Sequence, residues 1–157
     1  QAEKVGFDVT MGEYDISHIQ ADETQAEKLQ LDTGAPLIKV RRVILTKDAP
    51  VAYLVDVLPE EVLNPETPAS QFTGSVLDLL IQIGDPPLSV SKTEISAIHA
   101  PTDVAKALDI QRGDTLLLLK GLLFDEQGNP VDYSHSYFLP GYFRLHIIRK
   151  IGGVNAH

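Results

Sequence analysis

Apolar positions along this chain fall into a pattern that occurs twice. In the first occurrence, residues 15–21 form an extended stretch with apolar Ile16, Ile19 and Ala21 set among polar residues. Ala26 and Leu29 then follow at helical spacing, Gly34 interrupts the chain, and residues 37–46 form a β-branched, leucine-rich run. Residues 47–49 make a turn, from which the apolar run 51–58 returns. The second occurrence keeps this order. It has an extended stretch at 92–100, a short helix with Val104, Ala105 and Leu108, and a break at Gly113. A buried strand at 116–124, a turn at 125–129 and a returning strand at 131–139 complete it.

The two occurrences align residue by residue. Ile16-Ser17-His18-Ile19-Gln20-Ala21 resembles Ile95-Ser96-Ala97-Ile98-His99-Ala100 at an offset of 79 (Ile16 to Ile95). The same offset pairs Ala26 with Ala105, Leu29 with Leu108, Gly34 with Gly113 and Leu37 with Leu116. One inserted residue later, Pro50-Val51-Ala52-Tyr53 matches Pro130-Val131-Asp132-Tyr133. An ordered series of this kind reads as an internal duplication. Two helix–hairpin units, at about 15–59 and 94–140, predict an α+β fold: an antiparallel sheet with short helices packed against it and pseudo-twofold symmetry. Between the units, Pro59, Pro65 and Pro68 mark a loop, and residues 75–84 read as a helix that starts at Ser75 and stops at Gly84. A single domain is expected over residues 1–151, with 152–157 as a flexible tail.

Composition narrows the functional classes. Hydrophobic residues make up 43% of the 157, enough for a core that needs no covalent staple. The absence of cysteine excludes disulfides, thiolate metal sites and cysteine nucleophiles, and fits a reducing compartment. With no signal-peptide pattern and no apolar run near 18 residues, a cytoplasmic protein that does not span a membrane is expected. The net charge is −9, and only Arg41-Arg42 and the stretch 144–150 approach a basic cluster. Nucleic acid binding by this segment alone is therefore not expected, because duplex binding rests on clustered Lys and Arg.

Three places carry candidate chemistry. Thr73, Gly74 and Ser75 precede the central helix, where unpaired N–H groups and the helix dipole suit a phosphate or carboxylate. The same pattern also serves a plain N-cap, with Asp78 near the first turn. Arg42 lies inside an apolar strand, so its charge requires a carboxylate, a ligand anion or an exit to solvent, and Arg41 points the opposite way. In the last strand Asp132, Ser134, Ser136 and Phe138 share one face, while Tyr133, His135 and Tyr137 share the other. That polar face suits either solvent or a wet pocket, in which Asp132 accepts a hydrogen bond from a ligand hydroxyl or amine. The five histidines show neither HxH nor HExxH spacing, and no P-loop, GxSxG or GxGxxG motif is present. No metal, cofactor or catalytic residue is expected.

Several segments, in order, resemble the UTRA effector-binding domain of GntR-type (HutC subfamily) bacterial transcription regulators. They are Ala26-Glu27-Lys28-Leu29, the hairpin from Arg42 through Pro50 to Leu58-Pro59, and Gly74-Ser75-Val76-Leu77. They continue with residues 105–108, Gly113, the run from Phe124 through Gly128-Asn129-Pro130 to Ser134, and Tyr142-Phe143-Arg144-Leu145, where Leu145 departs from an aromatic. The resemblance implies a chorismate-lyase-like fold, a homodimer, and a small-molecule effector that modulates DNA binding by a winged helix-turn-helix not contained in this chain. It also implies a pocket. Arg42 matches the first of an arginine pair and Ile44 replaces the second, while Leu54 stands at a carboxylate position. Thr73 and Ser75 match hydroxyls before the central helix, and Leu77 replaces a tyrosine. Asp132 matches a late carboxylate with Ser134 beside it, and Phe138 replaces a tyrosine. The implied effector is a carboxylate or phosphate with a comparatively apolar body. Two alternatives stay open: an enzyme of the chorismate-lyase type, and a dimerisation module whose pocket is vestigial.

Overall fold

The structure, a computed structural model, describes residues 9–63 and 74–152. Its strands are β1 (Thr10–Gln20), β2 (Pro36–Thr46), β3 (Ala49–Pro59), β4 (Leu88–His99), β5 (Thr115–Asp125) and β6 (Pro130–Phe138). Its helices are α1 (Glu23–Leu29), α2 (Val76–Ile83) and α3 (Thr102–Leu108), with a 3₁₀ turn at Glu60–Val62. The strands form one sheet in the order β1-β2-β3-β6-β5-β4, antiparallel throughout. Each repeat is thus a three-stranded meander, and β3 and β6 join the two.

The duplication reaches individual hydrogen bonds. In the first repeat, Ala21 N–H donates to the Ala35 carbonyl (2.9 Å) and Gly34 N–H to the Ala21 carbonyl (2.7 Å). In the second, Ala100 N–H donates to the Asp114 carbonyl (2.7 Å) and Gly113 N–H to the Ala100 carbonyl (3.0 Å). Gly34 and Gly113 both take positive φ (89° and 92°), which is why glycine stands at this break in both copies. Val55 aligns with His135 in the repeat, and these two are also cross-strand partners. The pseudo-dyad therefore passes between them.

The edge strands start earlier than the alternation predicts, β1 at Thr10 and β4 at Leu88. Most of their residues are exposed whichever face they occupy, so no period-2 apolar signal is needed there. The β2–β3 turn is tight, with Lys47 and Asp48 both at positive φ (49° and 64°), as a two-residue hairpin of right-handed twist requires. Residues 139–150 carry no regular secondary structure, and 153–157 of the expected tail lie outside the described residues.

Helices cover both faces of the sheet. Val76, Leu79 and Leu80 of α2 pack on Ile38, Val40 and Leu58. On the opposite face, Ala26 and Leu29 of α1 pack against Leu37, Val57 and the second repeat's Tyr133. Val104, Ala105 and Leu108 of α3 pack against Leu116 and the first repeat's Tyr53. Each repeat thus buries its helix partly on the other's returning strand.

The α1 start is closed by a capping box. Asp22 Oδ1 accepts from Gln25 N–H (2.7 Å), and Gln25 Oε1 accepts from Asp22 N–H (3.0 Å). In α3 the corresponding residue is Pro101, which makes no side-chain cap bond. Asp22→Ala is expected to cost about 1 kcal/mol. Urea denaturation should show a lower midpoint with an unchanged slope, and an unchanged midpoint would rule out a stabilising cap.

Candidate functional site

The face of the sheet beneath α2 places three buried ionisable side chains together. Arg42, Asp56 and Asp132 are exposed by only 6%, 5% and 6%. Register sets their common face: Arg42 pairs with Leu54, Asp56 pairs with Ser134, and Asp132 lies two residues from Ser134 on the same side.

Arg42 meets its requirement for a counter-charge inside the protein. One guanidinium nitrogen donates to Asp56 Oδ2 (2.6 Å), and Nε donates to the Gly74 carbonyl. The second bond ties the strand to the approach to α2. Gly74 sits at φ 100°, and a Cβ there would lie 3.1 Å from the Met11 sulfur, so both conformation and space call for glycine. Arg41, on the other face, pairs with Asp15 (3.0 Å) where both side chains are about half exposed.

Asp132 differs from its neighbours. Its Oδ1 is buried and has no hydrogen-bond partner among the described residues. Burial, and secondarily the Asp56 carboxylate beside it, raise its pKa well above the usual carboxylate range, while Arg42 opposes this without cancelling it. The group is therefore biased towards the neutral acid, which can donate as well as accept. A buried polar atom without a partner is costly in a native protein.

The sequence-predicted residues divide as follows. Arg42, Asp132 and Ser134 converge, with Ile44 and Leu54 half-buried on the same face. Phe138 closes one side by packing on Phe143, ring centres 4.4 Å apart. Ser75 is the N-cap of α2, its Oγ accepting from Asp78 N–H (3.1 Å). Leu77 is 48% exposed, outside the packed face of α2. Thr73 lies outside the described residues.

The resemblance carries no signal for Asp56, since the family's carboxylate position falls on Leu54. The strand itself does: an aspartate inside the apolar run Val51-Ala52-Tyr53-Leu54-Val55-Asp56-Val57-Leu58, on the same face as Leu54. Gly121 is a second addition. It pairs with Ser134, and a Cβ there would come within 2.6 Å of Ser134 Oγ, so its small size leaves the hydroxyl room. The described residues contain no cluster of three or more His, Cys, Asp or Glu suited to a metal, and no helix long and apolar enough to cross a membrane.

A profile of the UTRA domain matches residues 6–144. The chain belongs to the UTRA domain family. It is 29% identical over 132 residues to the HTH-type transcriptional repressor NagR of Bacillus subtilis (strain 168), covering 83% of this chain and 54% of that protein. The chain thus spans about half the length of that relative. The UTRA fold is shared with a GntR-family transcriptional regulator from Enterococcus faecalis V583 (TM-score 0.76, 22% identity, 90% of this chain and 100% of that one). It is shared too with PhnF from Mycobacterium smegmatis (TM-score 0.79, 18% identity, 95% and 66%).

Removing one partner of a buried ion pair strands the other, so Arg42→Met is expected to destabilise by about 3–5 kcal/mol. Arg42→Met/Asp56→Leu should recover much of that loss in chemical denaturation, and strict additivity of the two single variants would refute the pairing. For Asp132, folding favours the protonated carboxyl because its folded pKa lies above its ordinary value. Its contribution is therefore most favourable at low pH and declines as pH rises through the folded value. Asp132→Asn should raise the melting temperature at neutral pH by roughly 2–4 °C per kcal/mol relieved, with the gain shrinking towards pH ~4. A gain independent of pH would contradict this account.

Proposed function

We propose that this chain is the effector-binding part of a GntR-type transcription regulator, and that its effector docks on the α2 face beside Asp132 and Ser134. The observation that carries the reading is the unpartnered Asp132 Oδ1, held buried next to an Arg42–Asp56 pair that already satisfies itself. Water-excluded polar groups poised in this way give a ligand directional bonds at little reorganisation cost.

The arrangement refines the ligand class. Arg42 is engaged by Asp56 and by Gly74, so it does not present a whole unpaired positive charge. The anionic end of the effector is better served by the first N–H groups of α2, together with Ser75 and Thr73. Asp132 then faces a hydroxyl or amine, and Ile44, Leu54 and Phe138 pack on an apolar body. A compact molecule with a carboxylate or phosphate at one end and hydrogen-bonding groups at the other fits this layout.

The domain acts by binding and not by turnover, in the cytoplasm and as a homodimer. A helix-turn-helix module elsewhere in the protein supplies DNA contact, consistent with an overall charge of −9 here. The effector works only through unequal affinity for two arrangements of the regulator. To test the reading, thermal unfolding would be followed against sugar phosphates, hydroxycarboxylates and amino acids. At 100 times its dissociation constant a true effector stabilises by about 2.7 kcal/mol. The shift should vanish in Ser134→Ala and Asp132→Leu. Stabilisation that survives both substitutions would place the effector elsewhere.

A further inference from the structure

The opposite face of the sheet holds a cleft that the effector site does not use. Because α1 and α3 are related by the pseudo-dyad, neither can lie on the axis. The centre of the sheet between them, around Val55 and His135, is left open as a space of about 190 Å³. Its linings share no residue with the Arg42–Asp56–Asp132 group.

The floor of this cleft is aromatic and continuous. Tyr53 and Tyr137 stack at 6.1 Å with 27° between rings, Tyr137 and His135 stack at 6.3 Å with 25°, and Tyr133 meets His135 edge-on at 4.8 Å. Four rings drawn from both repeats thus form one row across the dyad, a surface suited to offset or edge-on contact with another flat ring. Around the row, Lys39 rises from β2 and Asp103 stands at the start of α3. Neither side chain makes a hydrogen bond or ion pair among the described residues. Burial, helped by Lys120 and Lys39, lowers the His135 pKa, so its imidazole is biased to the neutral form with one donor and one acceptor.

We propose that this dyad cleft is a second small-molecule site, which takes a flat aromatic or heteroaromatic acid of one or two rings. The ring lies against the Tyr53–Tyr137–His135–Tyr133 row, the carboxylate pairs with Lys39, and a ring N–H or hydroxyl reaches Asp103. A volume of about 190 Å³ suits one or two fused rings. Since the cleft and the effector site occupy opposite faces of β3 and β6, this proposal stands whether or not the effector reading does.

The test is an NMR titration of the 157-residue chain with benzoate and with indole-3-acetate, using cyclohexanecarboxylate and benzyl alcohol as controls. The two aromatic acids should give saturable shifts centred on Val55, His135 and Tyr137. Benzoate should also change tyrosine emission, which no tryptophan obscures. Affinity should fall at least tenfold in Lys39→Met and in His135→Leu, both checked for unchanged melting, and stay within twofold in Ser134→Ala. The site is refuted if the aromatic acids give no saturable shift up to 10 mM. It is refuted equally if cyclohexanecarboxylate or benzyl alcohol binds as well, or if Lys39→Met binds like wild type.

Discussion

The pairing of β3 with β6 is the contact on which this fold depends. It makes two three-stranded meanders into one sheet, and it sets α1 over the second repeat's Tyr133 and α3 over the first repeat's Tyr53. Without it, each half would expose a long central strand edge and the part of its helix that packs on the other repeat, both aggregation hazards. Neither repeat is therefore a plausible folding unit by itself. The pairing also fixes where the dyad lies, and so which residues from the two repeats meet.

At that junction the symmetry is kept by the backbone and broken by the side chains. Where β2 carries Arg42, the equivalent residue of β5 is Gly121; Asp56 corresponds to Ser136, and Asp132 to Ala52. The helix α2 lies between the repeats and has no second copy among the described residues. One half of the α2 face thus holds a closed ion pair, while the other keeps small or half-buried groups such as Gly121 and Ser134. A duplicated scaffold with one-sided substitutions yields an asymmetric site from a symmetric frame.

Much of this was legible in the sequence. Buried strands announce themselves through apolar runs, the end of α2 through Gly84, and the breaks before β2 and β5 through Gly34 and Gly113, because burial and positive φ restrict residue choice locally; α1 and α3 end at Gln30 and Asp109, which take positive φ without being glycine. The partition of β6 into a polar and an aromatic face also follows from period 2 alone. What did not follow depends on register between distant strands. That Arg42 meets Asp56 is decided by the β2–β3 hairpin, and that Asp132 joins them is decided by β3 against β6, a long-range pairing with no local signature. The family resemblance puts Leu54 at a carboxylate position, while the buried carboxylate stands two residues on, at Asp56. Tracing where the Arg42 charge must go would have pointed two residues on.

The same charge argument bears on specificity. A buried arginine left for the ligand would favour any small anion, which discriminates poorly between metabolites. Here Asp56 neutralises that arginine, and the unsatisfied group is a carboxyl biased towards its protonated form. A ligand that fails to meet Asp132 leaves its desolvation cost unrelieved, about 1–3 kcal/mol or five- to more than a hundredfold in affinity. On the proposed reading, discrimination rests on the hydroxyl or amine that faces Asp132, and the anion chiefly adds strength. An effector site of the kind proposed here rejects molecules lacking a correctly placed polar group, the direction in which binding sites achieve their sharpest selectivity.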